Sequence, residues 1–162
     1  MLDGFTPEFT ITTTLKVGVV YKLTAPELIE TNIPHYFIVV AIEEDDNYLC
    51  MCTSQEGSTI NYFYKSGKDL DTLANIEPSS TNGLTKRTYV DCNRYFILTK
   101  TELVDKCEKG RLKLAGDLDI EEYELIRYSI RQSKVNDIPK FLLVHPDETD
   151  GNDGPPEDDF DD

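Results

Sequence analysis

Two apolar runs joined by a short polar stretch constrain this chain most. Tyr36 to Ile42 (YFIVVAI) is almost continuously apolar and rich in β-branched residues, and Tyr48 to Thr53 (YLCMCT) repeats that character. Between them, Glu43 to Asn47 supplies turn residues, so the segment predicts a β-hairpin. A hairpin needs further strands to become stable. Leu15–Leu23, with Val17, Val19, Val20 and Tyr21, reads as a strand before it, and Arg87–Asp91 and Tyr95–Thr99 read as two strands after it.

The stretch Ser54–Thr85 carries Gly57, Gly67, Pro78 and Gly83 and one short aromatic run, Ile60–Tyr64. It predicts a long loop holding an edge strand, and long loops in compact domains are often functional. Two helices are expected later. One spans Lys100–Glu108, capped by Thr99 or Thr101 and stopped at Gly110; the other begins after Asp119 and runs to about Val135 with a broad apolar stripe of Ile120, Tyr123, Leu125, Ile126, Tyr128 and Ile130. Ala25–Glu30 reads as a helical turn in a connecting loop, and Phe141–Val144 as a last strand. Short strands at close spacing followed by helices make an α+β, mainly β fold: a small β-barrel with C-terminal helices.

Charge divides the chain. Of 31 acidic residues, nine fall in Pro146–Asp162, which has no Lys or Arg; this leaves 22 acidic against 16 basic residues in 1–145. The expected organisation is therefore one folded domain, 1–145, and a disordered acidic tail, 146–162. The tail reads most simply as solvated, with docking on a basic groove or partner as the alternative. No run of eighteen uncharged apolar residues exists and Met1–Gly4 lacks a basic leader, so a cytoplasmic protein outside the membrane is expected. Cys50, Cys52, Cys92 and Cys107 form no CxxC pair, and with only His35 and His145 beside them they predict buried thiols rather than a metal site.

Several local strings are similar to the PemK/MazF family of toxins. Lys16-Val17-Gly18-Val19-Val20-Tyr21 resembles the family's opening strand, and Ile33-Pro34-His35 followed by Tyr36–Val40 resembles its loop ending in Arg-Pro and the apolar strand after it. Cys52-Thr53-Ser54-Gln55 resembles the strand that ends beside the active site. Asp91, Ile97–Leu103 and Gly110-Arg111-Leu112 resemble the later strand, helix and G-x-L stretch. The likeness runs from Lys16 to about Lys134, with a poor match over Ser58–Lys86.

The resemblance implies an SH3-like barrel and a metal-independent endoribonuclease without a cofactor, acting on single-stranded RNA as a homodimer and held in check by an antitoxin protein. It maps the family's catalytic Arg and Thr onto His35 and Thr53. Histidine for arginine is a departure: an imidazole can exchange a proton with a ribose hydroxyl, yet it is a poorer phosphate clamp than a guanidinium. The plain alternatives are a hydrogen-bonded imidazole at a strand entrance, and Thr53, Ser54 and Gln55 as turn residues. Candidate RNA-binding residues are Ser54, Gln55, Lys86, Arg87, Arg94 and Lys100. A mildly acidic body argues against an RNA surface, and a non-catalytic barrel that binds a protein partner is the competing reading.

Overall fold

The computed structural model describes residues 4–151. Seven antiparallel strands form one sheet: β1 (Val19–Leu23), β2 (His35–Glu43), β3 (Asp46–Thr53), β4 (Leu73–Ile76), β5 (Thr88–Asp91), β6 (Phe96–Thr99) and β7 (Leu112–Asp117). Their order is β4-β5-β3-β2-β1-β7, with β6 pairing the first half of β3 while β5 pairs its end. The α+β, mainly β class holds, and the sheet stays open between β4 and β7.

The hairpin predicted from the two apolar runs is its centre. Glu43 pairs with Asp46, so the turn is two residues, and Glu44 takes the left-handed conformation (φ 56°) that such a turn requires. The run YFIVVAI is continuous because β2 is covered on both faces. Ile38 and Val40 point into a core built with Tyr123, Ile126 and Ile130 of helix α5 (Ile120–Gln132). Phe37 and Val39 point into a second core with Ile11 of α1 (Pro7–Thr14) and Leu103 of α4 (Lys100–Glu108). A bulge at Val40 leaves its carbonyl outside the ladder, and the Tyr123 hydroxyl donates to it at 2.7 Å. Cys50, Cys52 and Cys92 are buried free thiols, and burial pushes Cys50 up to about 12.

Helix α4 has the predicted bounds, and Thr99 caps it in a reciprocal box with Glu102; Asp119 and Glu122 do the same for α5. Three expectations need correction. Ile60–Tyr64 is not an edge strand but the middle of helix α3 (Glu56–Ser66), which buries only Phe63 and ends where Gly67 turns left-handed (φ 73°) and Lys68 N donates to the Phe63 carbonyl at 3.0 Å. The edge strand of this region is β4. The first strand begins at Val19 rather than Leu15, because Gly18 (φ 101°) turns the chain and Val19 N returns to the Lys16 carbonyl. Phe141–Val144 is no strand: Pro139 introduces a 3-10 turn, Lys140–Leu142. Ala25–Glu30 holds the short helix α2 (Pro26–Ile29).

Beyond His145 the chain continues as helix α6 (Pro146–Gly151), and the rest of the acidic stretch, 152–162, lies outside the described residues. The Arg127 guanidinium donates to the Leu143 carbonyl at 3.0 Å and to Glu148 at 2.7 Å, and it also pairs with Glu124. His145 is buried; its Nε2 donates to the Leu118 carbonyl at 2.9 Å and its Nδ1 accepts from Asp147 N at 3.1 Å.

The gap between β4 and β7 is crossed by the 77–87 loop. Asp117 N donates to the Thr81 carbonyl at 3.0 Å, and a Cβ on Gly116 would stand 2.2 Å from that same oxygen. Glycine is therefore required where the loop presses on the strand. Asn82, fully buried, ties the loop: its Oδ1 accepts from Ser79 N and Leu84 N, and its Nδ2 donates to the Glu77 carbonyl and Glu122 Oε2.

Candidate active site

Four separate segments meet at one end of the sheet. The start of β2 brings His35 after Ile33-Pro34; the end of β3 brings Cys52 and Thr53, followed by Ser54 and Gln55; the 77–87 loop brings Thr85 and Lys86; and β1 brings Lys22. Together they enclose a cleft of about 320 Å³. The antiparallel pairing of β2 with β3 makes this meeting unavoidable, because the hairpin returns the residues after Met51 to the level of those before Phe37.

His35 is half-buried. Its Nδ1 lies 2.9 Å from the Ile33 carbonyl oxygen, and since a carbonyl only accepts, that nitrogen carries a hydrogen. In the neutral ring Nε2 then holds the lone pair. Thr53 Oγ1 accepts from Gln55 N at 3.2 Å, which leaves its hydroxyl hydrogen for another acceptor. Lys22 is exposed, with its ammonium 5.3 Å from the centre of the Tyr36 ring.

The charge of this cleft is opposite to that of the chain. Lys22 and Lys86 line it, and no Asp or Glu does, in a protein with a formal net charge of −15. The acidic composition that argues against an anionic ligand is thus spent elsewhere. Of the predicted residues, His35, Thr53, Ser54, Gln55 and Lys86 line this cleft together. Arg87, Arg94 and Lys100 do not: Arg87 turns out to Glu77 at 2.7 Å, Arg94 lines a neighbouring cleft, and Lys100 pairs with Glu8 at 3.4 Å beside α1. Lys22 lies outside the residues that the sequence pattern singles out; it is the exposed position in the otherwise buried β1, and its charge inside an apolar run is the signal that marks it.

Among the described residues no cluster of His, Cys, Asp and Glu is arranged to hold a metal ion. No helix among them is long and apolar enough to cross a membrane.

No protein-family model matches the sequence, and no curated protein matches it. Among solved structures the chain is similar to an endoribonuclease from Mycobacterial species, at 14% identity over 78% of this chain and 96% of that one, with a TM-score of 0.49. It is also similar to Mycobacterium tuberculosis toxin MazF-mt6, at 11% identity over 70% of this chain and 91% of that one, with a TM-score of 0.43.

Proposed function

We propose that the chain is a toxin-like endoribonuclease that cleaves single-stranded RNA in the His35–Thr53 cleft. The observation that carries this reading is the cleft itself: His35, Thr53 and two lysines gathered at one place with no carboxylate lining it. In the reaction, His35 Nε2 takes the proton from a ribose 2′-hydroxyl as its oxygen attacks the adjacent phosphorus. The new 2′-oxygen–phosphorus bond forms and the bond to the 5′-oxygen breaks, with that oxygen taking a proton from water. Products are a 2′,3′-cyclic phosphate and a 5′-hydroxyl end. Lys22, Lys86 and the Thr53 hydroxyl stabilise the charge that gathers on the non-bridging oxygens. Lysine takes over here the phosphate contact that the family's arginine makes at the position of His35, and the imidazole is free for proton transfer.

The family resemblance supports an antitoxin as the protein partner, a homodimer as the assembly, the cytoplasm as the place of action, and chemistry that needs no metal or cofactor. The test is cleavage of a long single-stranded RNA by the purified protein in EDTA, compared with His35→Ala and Thr53→Ala. Cutting that both variants lose is the expected result. A folded wild type that leaves the RNA intact, with and without added divalent ions, sinks the reading and favours the non-catalytic barrel that binds a protein partner.

A further inference from the structure

A second cleft, of about 240 Å³, opens on the other side of Thr53 and Gln55, which line both. Its wall is otherwise unlike the first: Met51, Tyr62 and Arg94 line it beside Ser58 and Thr59, with Phe63 and Asp91 closing it. Tyr62 is 52% exposed, with the Lys68 ammonium 4.7 Å from its ring centre. Lys68 also binds Asp91 at 3.0 Å, so the one carboxylate here is already paired. The Arg94 guanidinium lies 5.1 Å from the Phe96 ring centre and forms no ion pair among the described residues. Gln55 Oε1 accepts from Ser58 Oγ at 3.2 Å, which fixes the amide and leaves its NH₂ to donate.

We propose that this cleft is a guanine-binding subsite, holding the base of a nucleotide beside the one whose phosphate is attacked. Three features specify the ligand. An exposed aromatic ring and a flat thioether wall suit the face of a base, which stacks well whatever its sequence. A supported guanidinium presents two parallel donors, the pattern that the adjacent N7 and O6 acceptors of guanine match, whereas adenine has a donor beside N7 and uracil has no two adjacent acceptors. The volume suits one base and is below that of clefts for larger ligands. Tyr62 comes from α3, within the stretch that lacks the family pattern, so the subsite belongs to this chain. It rests on the RNA-cleaving reading, because Thr53 and Gln55 join it to the cleft where the phosphate would sit.

The test uses fluorescein-labelled 2′-O-methyl decamers, which cannot be cleaved, one pyrimidine-only, of uridine alone, and one with guanine at alternate positions. Wild-type protein is expected to bind the guanine-containing decamer about tenfold more tightly, in the range of discrimination that one bidentate contact to a base contributes. Tyr62→Ala and Arg94→Gln, both changes at side chains outside the core, are each expected to bring it down towards the pyrimidine-only level. Equal binding of the two decamers by wild type, or a preference unchanged in both variants, overturns the subsite while RNA cleavage by wild type still stands. Absence of both decamer binding and RNA cleavage overturns the cleavage reading, and the subsite falls with it.

Discussion

The Nδ1 of His35 donates to the carbonyl of Ile33, two residues earlier, at 2.9 Å. The bond spans Pro34, the residue before β2, so backbone rather than a carboxylate fixes the ring's tautomer and leaves the Nε2 lone pair for the proposed proton transfer. His35→Ala should lower the rate of RNA cleavage by about 10²- to 10⁴-fold, the usual worth of a positioned general base. His35→Arg restores the residue of the family pattern; it should recover phosphate binding but not the proton transfer. Measuring kcat and KM separately for the two variants distinguishes these roles, and wild-type kcat in His35→Ala refutes the assignment.

Lys22 and Lys86 line the cleft from separate segments, and the proposed reaction gives each one phosphate contact. Lys22→Met and Lys86→Met should each weaken RNA binding and flatten the dependence of log K on log salt by about one unit of slope. Arg87→Met is the control. Its side chain is exposed and committed to Glu77, outside the cleft, so its slope should match wild type. Titration of a labelled single strand at three salt concentrations measures all three, and an Arg87→Met slope reduced as much as the lysine variants would place the RNA elsewhere.

Arg127 joins the C-terminal segment to α5, and its hydrogen bond holds the Glu148 carboxyl below the usual carboxylate range. A carboxyl depressed in the folded state stabilises above its unfolded pKa, and that stabilisation is lost as pH falls through the lower folded value. Glu148→Gln should therefore lower Tm by about 2–4 °C near neutral pH, for a charge-assisted bond worth about 1 kcal/mol at a partly exposed site. Once the pH is below that folded value, the two proteins should melt together. A constant Tm difference across that range would mean the ion pair contributes nothing.

The sequence showed its strands and helices wherever burial is regular. β2 and β3 are covered on both faces, and α4 and α5 carry apolar stripes with Thr99 and Asp119 as caps, so pattern and structure agree there. α3 was illegible because it buries one residue, Phe63, and its other aromatics, Tyr62 and Tyr64, are exposed. α1 buries only Thr10 and Ile11 in a threonine-rich stretch, a signal too thin for a stripe. The candidate site divides along the same line. His35 and Thr53 follow from the hairpin, because register alone brings its open ends together. Arg87 and Lys100 stand out in the sequence by charge alone, and charge does not say which face of a strand or loop a side chain takes.

Asn82 gives the fold its hold on the site without touching the cleft. Its side chain makes four hydrogen bonds from a fully buried position, two of them to backbone N–H groups of its own loop and one to Glu122 at the start of α5. That loop delivers Thr85 and Lys86 to the cleft. Asn82→Ala leaves the Ser79 and Leu84 donors without their acceptor, a loss of about 2–3 kcal/mol in stability. RNA binding should weaken about as much as in Lys86→Met, because a loosened loop no longer presents its lysine at a fixed place. A double-mutant comparison carries the argument: adding Lys86→Met to Asn82→Ala should weaken binding little further, since the second change removes a contact already lost. Additive losses in the double variant would show that Asn82 supports the fold alone and leaves Lys86 in position.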